Sequence, residues 1–197
     1  MNYSCYCTLT LHGDGIKKTT TQLMKKTFIL LSAVTLGITF SSCGTKETTK
    51  DVQAPGGMVT LDLSKYGKQF SIFVPDTTVA KLEVIEQSWG ALEVRVGKTF
   101  HISITEDPGD IELRKSDIKS NDINIFKSYL VEEPLSIMWE SQITKPEYHF
   151  YTIQKNAANS YVFEDVVPSN GEPIGKDAIQ KMFDSAKTII EKKKPDA

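Results

Sequence analysis

The stretch L-E-V-R-V-G-K-T-F-H-I-S-I, residues 92–104, indicates the fold class most clearly. Apolar and polar side chains alternate on both sides of Gly97-Lys98, which is the pattern of two β-strands that each bury one face. A short glycine-containing connection of this kind joins antiparallel neighbours. The stretch therefore predicts a β-hairpin, and His101 lies on the polar face of its second strand.

The same alternation recurs along the rest of the domain. We predict further strands at residues 59–63, 70–74, 82–85, 123–132, 135–143, 147–154 and 161–166, separated by turns that contain Gly, Pro or Asn. Short turns favour antiparallel pairing, because parallel neighbours need long crossover connections.

Two segments have helical spacing. Residues 110–120 place Ile111, Arg114 and Ile118 on one side, and the C-terminal segment repeats apolar residues at i, i+3, i+4 and i+7: Ile179, Met182, Phe183, Ala186, Ile189 and Ile190. We therefore expect an α+β fold, an antiparallel sheet with a C-terminal amphipathic helix and one short helix packed on one face. The order of elements resembles the PsbP/Mog1-like fold, which also covers an antiparallel sheet with helices, and this resemblance implies no function.

A start-like segment lies upstream of the domain. In M-K-K-T-F-I-L-L-S-A-V-T-L-G-I-T-F-S-S-C-G, residues 24–44, two lysines precede an apolar run from Phe28 to Phe40, and small residues precede Cys43. The run is shorter than the roughly 20 residues that cross a bilayer, and its length is typical of a secretory signal. A buried core helix is the alternative, although the segment ends in Ser41-Ser42 and Gly44 without an amphipathic pattern.

Residues 24–44 resemble the signal peptide of bacterial lipoproteins, in which a cysteine after small residues receives a lipid and becomes the mature N-terminus. The resemblance implies lipidation of Cys43 by acyl chains such as palmitate and a membrane contact through that lipid. It also implies a domain displayed outside the cytoplasm, in the bacterial cell envelope. Phe40 departs from the family pattern, which usually has Leu or another aliphatic residue three places before the cysteine.

These features predict four parts of the chain. Residues 1–23 are an upstream extension, with Met24 as the true start, and residues 24–42 are the signal peptide. Residues 43–57 form a lipidated flexible tether, since they contain no aromatic residue. Residues 58–197 are long enough to bury a core and form a single globular α+β domain.

Charge and cysteine content exclude some classes of function. The full chain has a formal charge of −2, and the part after Cys43 is more acidic, because four lysines and one aspartate precede that cysteine. This argues against a nucleic-acid partner, which requires clustered positive charge. Cys5 and Cys7 lie in the predicted extension, so the mature chain has neither an internal disulfide nor a cysteine metal site.

The candidate binding surface rests on few residues. Glu147, His149 and Tyr151 share one face of a predicted strand, and a carboxylate two residues from a histidine can orient the ring for metal binding or proton transfer. A strand face rich in aromatic residues that only pack against neighbouring strands is the simpler interpretation. His101 joins this surface if its strand lies nearby. Trp89, in a predicted turn, is a further contact candidate, although we expect it to be buried under the sheet edge.

No known catalytic motif appears: the sequence has no G-x-S-x-G, no Gly-rich phosphate loop and no H-E-x-x-H. We assign no catalytic residue, metal or cofactor, and whether the chain is an enzyme stays open. Our hypothesis is a lipid-anchored, non-catalytic binding or accessory module with an envelope protein as partner. An envelope hydrolase or metal-dependent enzyme that uses Glu147 and His149 is the alternative, and a structural subunit of a larger envelope complex is a third possibility.

Overall fold

A computed structural model describes residues 53–156, 159–168 and 171–192, all within one compact unit of the chain. The predictions for the extension, the signal peptide, Cys43 and most of the tether lie outside these residues. At the end of the tether, the carbonyl of Gly57 accepts a hydrogen bond from the Asp76 amide at 3.1 Å. No helix in the described part is both long enough and apolar enough to cross a membrane.

The described residues form ten strands and two α-helices. The strands are β1 (Met58–Asp62), β2 (Phe70–Pro75), β3 (Leu82–Glu86), β4 (Leu92–Val96), β5 (Phe100–Glu106), β6 (Ile125–Glu133), β7 (Ser136–Gln142), β8 (Pro146–Lys155), β9 (Ser160–Asp165) and β10 (Ile190–Glu191). The helices are α1 (Ile111–Lys119) and α2 (Lys176–Lys187), and a 3₁₀ turn covers Ser64–Tyr66.

The strands form two antiparallel sheets. The larger sheet has the order β3-β4-β5-β9-β8-β7-β6, and the smaller one has the order β1-β2-β10. The β4–β5 hairpin at residues 92–104 is confirmed, with Arg95 opposite His101. The α+β class with antiparallel pairing is likewise confirmed.

The two helices cover opposite faces of the large sheet, so the prediction that both pack on one face is wrong. Buried residues of α1 cluster with Ile137 and Trp139 of β7, whereas those of α2 cluster with Met138, which lies between them. Successive side chains of a strand point to opposite faces. The sequence spacing located the apolar stripe of each helix but contained no information about which face the stripe would meet.

The C-terminal helix is shorter than its apolar spacing predicted. Ile179, Met182, Phe183 and Ala186 are buried as expected, but α2 ends at Lys187 and Ile190 pairs with Ser71 of β2. β-Branched residues favour extended backbone when a sheet edge is available. Ile190 therefore belongs to the small sheet and not to the helix.

Candidate functional site

His149 lies at the centre of a polar cluster on the α1 side of the large sheet. Its Nδ1 is 2.8 Å from Asp165 Oδ2, and its Nε2 is 3.6 Å from Glu147 Oε2. The ring lies beside Trp139, its cross-strand partner, with centroids 5.3 Å apart and planes at 31°. The carboxylate of Asp165 only accepts hydrogen bonds, so Nδ1 carries a hydrogen and Nε2 is the nitrogen that titrates.

Asp165 reaches this ring because β8 and β9 stop pairing just before it. The last matched pair is Tyr151 with Glu164, and at the next position the Asp165 side chain replaces a main-chain acceptor. Its Oδ1 accepts the Phe150 amide hydrogen at 2.8 Å, while Oδ2 holds the imidazole. One carboxylate therefore ends the strand ladder and orients His149.

The carboxylates change the protonation of His149. Burial alone lowers the pKa of the ring, but the hydrogen bond and charge of Asp165 and the charge of Glu147 outweigh burial and raise the pKa above its ordinary value. Both the direction and the cause follow from geometry, since nearby negative charge favours the imidazolium.

The loop between α1 and β6 closes one side of the cluster. The side chain of Asn121 accepts the amide hydrogens of Ile123 and Asn124 at 3.0 and 2.8 Å, which fixes the loop. Asn124 Nδ2 then donates to Glu147 Oε2 at 3.1 Å and lies 3.4 Å from His149 Nε2. This contact orients the amide, so that Asn124 Oδ1 faces away from Glu147.

Arg114 of α1 covers the aromatic floor of the cluster. Its guanidinium carbon lies 5.7 Å from the Trp139 ring centroid and 5.3 Å from that of Tyr151, within cation–π range. Its Nη2 donates to Glu164 Oε2 at 2.9 Å. Burial raises the pKa of Glu164, against the opposing charge of Arg114 and with a further contribution from Asp165.

These groups surround a cleft of about 280 Å³, which we call the His149 cleft. Its lining comprises Arg114, Asp117, Ile118, Asn121, Asn124, Trp139, His149, Asp165 and Val167. Arg114 Nε, a donor, and Asn124 Oδ1, an acceptor, are buried here without a hydrogen-bond partner among the described residues. The cleft thus offers both kinds of hydrogen-bonding group to a small polar ligand.

The predicted candidates are only partly brought together. Glu147 and His149 are in contact, and Tyr151 lies beside them on the same face, where it lines a neighbouring cleft of about 510 Å³ on the other side of Arg114. His101 is not in the cluster, because its ring turns to the Gly97 carbonyl in a separate pocket. Trp89 is 69% exposed in the β3–β4 turn, so the expectation of its burial is wrong.

Sequence reasoning missed Asp165 and Asn124 as partners of His149. Asp165 ends a strand and Asn124 follows a helix, and neither position is related to His149 by a local period. The N-x-x-N spacing of Asn121 and Asn124 is a signal for a side-chain-stabilised turn, and could have located the loop but not its contact.

Within the described ranges, no group of three or more His, Cys, Asp and Glu side chains is placed to hold a metal ion. Comparison with protein-family models, curated proteins and solved structures finds no match to this chain. The resemblances to lipoprotein signal peptides and to the PsbP/Mog1-like fold therefore stay predictions.

Proposed function

We propose that this chain is a lipid-anchored cell-envelope protein whose domain binds a partner through the His149 cleft without catalysing a reaction. The anchor rests on the lipoprotein-type segment at residues 24–44 and the cysteine at its end. The binding role rests on the cleft, which combines an aromatic floor, unpaired hydrogen-bonding atoms and charges of both signs. The partner is an envelope protein that presents polar groups to this cleft.

The position of two carboxylates beside His149 is the observation that favours binding over catalysis. The Nδ1 of His149 is held by Asp165, and Glu147 favours a proton on Nε2. An imidazolium has no lone pair with which to accept a proton, so it is a poor general base but a good hydrogen-bond donor to an acceptor on a partner. The raised pKa of His149 extends this donor state to higher pH.

Photo-crosslinking in intact cells tests the binding role. Val167 is 55% exposed and lines the cleft, so a photoreactive amino acid at this position in the full chain should give a defined crosslinked species by intact mass. The same probe at Val79, which is 86% exposed and lies outside the cleft, is the matched control. We expect the species at position 167 to disappear with Arg114→Gln. Equal crosslinking from both positions, or no species at position 167, would contradict a docking role for the cleft.

The His149–Asp165 contact favours a second candidate, an envelope hydrolase or metal-dependent enzyme that uses Glu147 and His149. A carboxylate bound to one imidazole nitrogen is how many enzymes orient a ring whose other nitrogen binds metal or transfers a proton. Zinc added to the purified full chain should then raise its Tm, and His149→Ala should abolish the rise. Turnover of a substrate that is lost in His149→Ala would replace the binding proposal with this one.

A further inference from the structure

A second pocket, at the turn between β4 and β5, has the charge distribution of an anion site. It has a volume of about 330 Å³, and its lining includes Lys81, Glu83, Arg95, Lys98 and His101. Three permanent cations thus face one carboxylate, although the chain as a whole has a negative formal charge. We call it the His101 pocket.

Two of the lining side chains have unused nitrogens. His101 is only 8% exposed, and its Nε2 lies 3.2 Å from the Gly97 carbonyl, which can only accept, so Nε2 carries a hydrogen. Its Nδ1 is buried and has no partner among the described residues, and the same holds for Nε of Arg95, its cross-strand neighbour. An arginine N–H can only donate, and burying it unpaired costs free energy that an acceptor would recover.

The other contacts of Arg95 explain why its Nε has no hydrogen-bond partner among the described residues. Its Nη2 holds Glu93, a buried carboxylate whose other oxygen accepts from Gln87 at 2.8 Å. This internal contact fixes the guanidinium on the sheet. The position of Nε is therefore set before any ligand arrives.

We propose that the His101 pocket binds an oxyanion group, a phosphate or sulfate carried by a soluble molecule or by a lipid headgroup. Lys81 and Lys98 supply charge at the rim, and Arg95 Nε donates a hydrogen bond to the oxyanion. Glu83 is the resident anion, 2.6 Å from Lys81, and an incoming oxyanion competes with it. This site is independent of the His149 cleft and of the function proposed for that cleft.

Sulfate is the probe that tests the site, because it is an oxyanion whose charge is constant near neutral pH. The full chain, ¹³C-labelled on histidine and purified in a neutral detergent, is titrated with sodium sulfate against sodium chloride of equal ionic strength, which controls for screening. We expect a saturable shift of the His101 ring resonances with sulfate and none with chloride.

Substitutions distinguish a specific binding site from nonspecific electrostatic attraction. Glu83→Gln removes the competing carboxylate and should tighten sulfate binding about two- to fivefold, the range of one exposed ion pair. Lys98→Gln should weaken binding by a similar factor, and Lys145→Gln, in the exposed β7–β8 turn, should leave it unchanged. The proposal is overturned by a non-saturable shift, by equal responses to sulfate and chloride, or by an equal effect of the Lys98 and Lys145 variants.

The two sources of the oxyanion are distinguished with vesicles. The Cys43→Ser chain is sedimented with phosphatidylglycerol vesicles and, separately, with phosphatidylcholine vesicles. If the chain sediments with the anionic lipid only, and Lys98→Gln reduces this sedimentation, the site binds a lipid headgroup. Saturable sulfate binding, with sedimentation that Lys98→Gln leaves unchanged, assigns it to a soluble phosphate or sulfate compound.

Discussion

Asp165, at the end of β9, holds two groups of β8, the imidazole of His149 and the amide of Phe150. Its side chain is 6% exposed, so its contacts are shielded from water and count for more than a surface ion pair. Glu147 adds a second carboxylate at the far side of the ring. The charge state of a single imidazole therefore couples the end of the β8–β9 ladder to the α1–β6 loop.

The pH dependence of stability tests this coupling. Because the pKa of His149 is raised in the folded chain, its contribution is fully present below the ordinary pKa of about 6.5 and is lost as pH rises through the folded-state pKa. We expect the free energy of unfolding of the wild type to exceed that of His149→Gln by more at about pH 6 than at about pH 9, measured by urea titration. A difference that does not change with pH would contradict a charge-assisted contact.

Half of this cluster could be predicted from the sequence. A period of two places Glu147 and His149 on one strand face, and the structure brings them within 3.6 Å. Asp165 could not be found in the same way, because its role depends on where the β8–β9 ladder stops. The position at which two strands cease to pair is set by the register of the whole sheet and not by the residues near Asp165.

The α2 helix is attached to the large sheet through a narrow apolar face. Phe183 is 2% exposed, and its ring meets that of Phe150 edge-on with centroids 6.2 Å apart. Met182 and Ala186 are buried beside it. The helix therefore depends on packing, since Gly175 at its N-cap supplies no side-chain hydrogen bond.

Phe183→Ala measures this packing. Removing a buried phenyl ring should cost about 3 to 5 kcal/mol in the free energy of unfolding, from lost burial and the cavity left behind. Lys181→Ala, on the exposed side of the same helix, should change stability by less than about 0.5 kcal/mol. A loss below roughly 1 kcal/mol for Phe183→Ala would show that this face is not packed as described.

The turn before α1 provides a second test of packing against the large sheet. Gly109 has φ of +65°, and a Cβ there would lie 2.7 Å from Ile153 Cδ1 and Cγ1 and 3.0 Å from Val162 Cγ2. Gly67 has a similar φ of +76°, but a Cβ there meets nothing within 4 Å. Alanine at either position therefore meets the same unfavourable backbone conformation. Only alanine at position 109 would also clash with neighbouring side chains.

Alanine at these two glycines should therefore have unequal effects. Gly67→Ala should cost about 1 to 2 kcal/mol for the left-handed backbone alone. Gly109→Ala should cost about 1 to 3 kcal/mol more, because Ile153 and Val162 are part of the buried cluster under α1. Thermal unfolding of both variants measures the difference, and equal losses would mean that the turn before α1 does not approach Ile153 and Val162 as closely as described.

Periodicity located the elements well and their ends poorly. The apolar stripe of α2 is correct from Ile179 to Ala186, yet the same spacing continued through Ile190, which belongs to a strand. A helical repeat cannot indicate that the chain pairs with the edge of β2 after the helix ends. Periodicity could not predict which face of the sheet each helix covers, because this depends on the path of the chain around the sheet.

The domain presents two separate polar concavities. The His149 cleft lies between α1 and the large sheet, and the His101 pocket lies by the β4–β5 turn. The first combines charges of both signs, whereas cations predominate in the second. Two sites of different charge fit a binding module that is presented to its partners from a membrane surface.

The intact mass of the membrane-extracted protein, measured beside a Cys43→Ser variant, tests directly whether a lipid at Cys43 anchors the domain. A lipid-anchored protein predicts a wild-type mass that begins at Cys43 and carries acyl chains, and a variant that is neither cleaved at this position nor acylated. A wild-type mass that retains Met1 and has no acyl chain would contradict the account. Residues 28–40 would then be part of the mature protein. The proposals of an envelope location and of envelope partners would both be wrong.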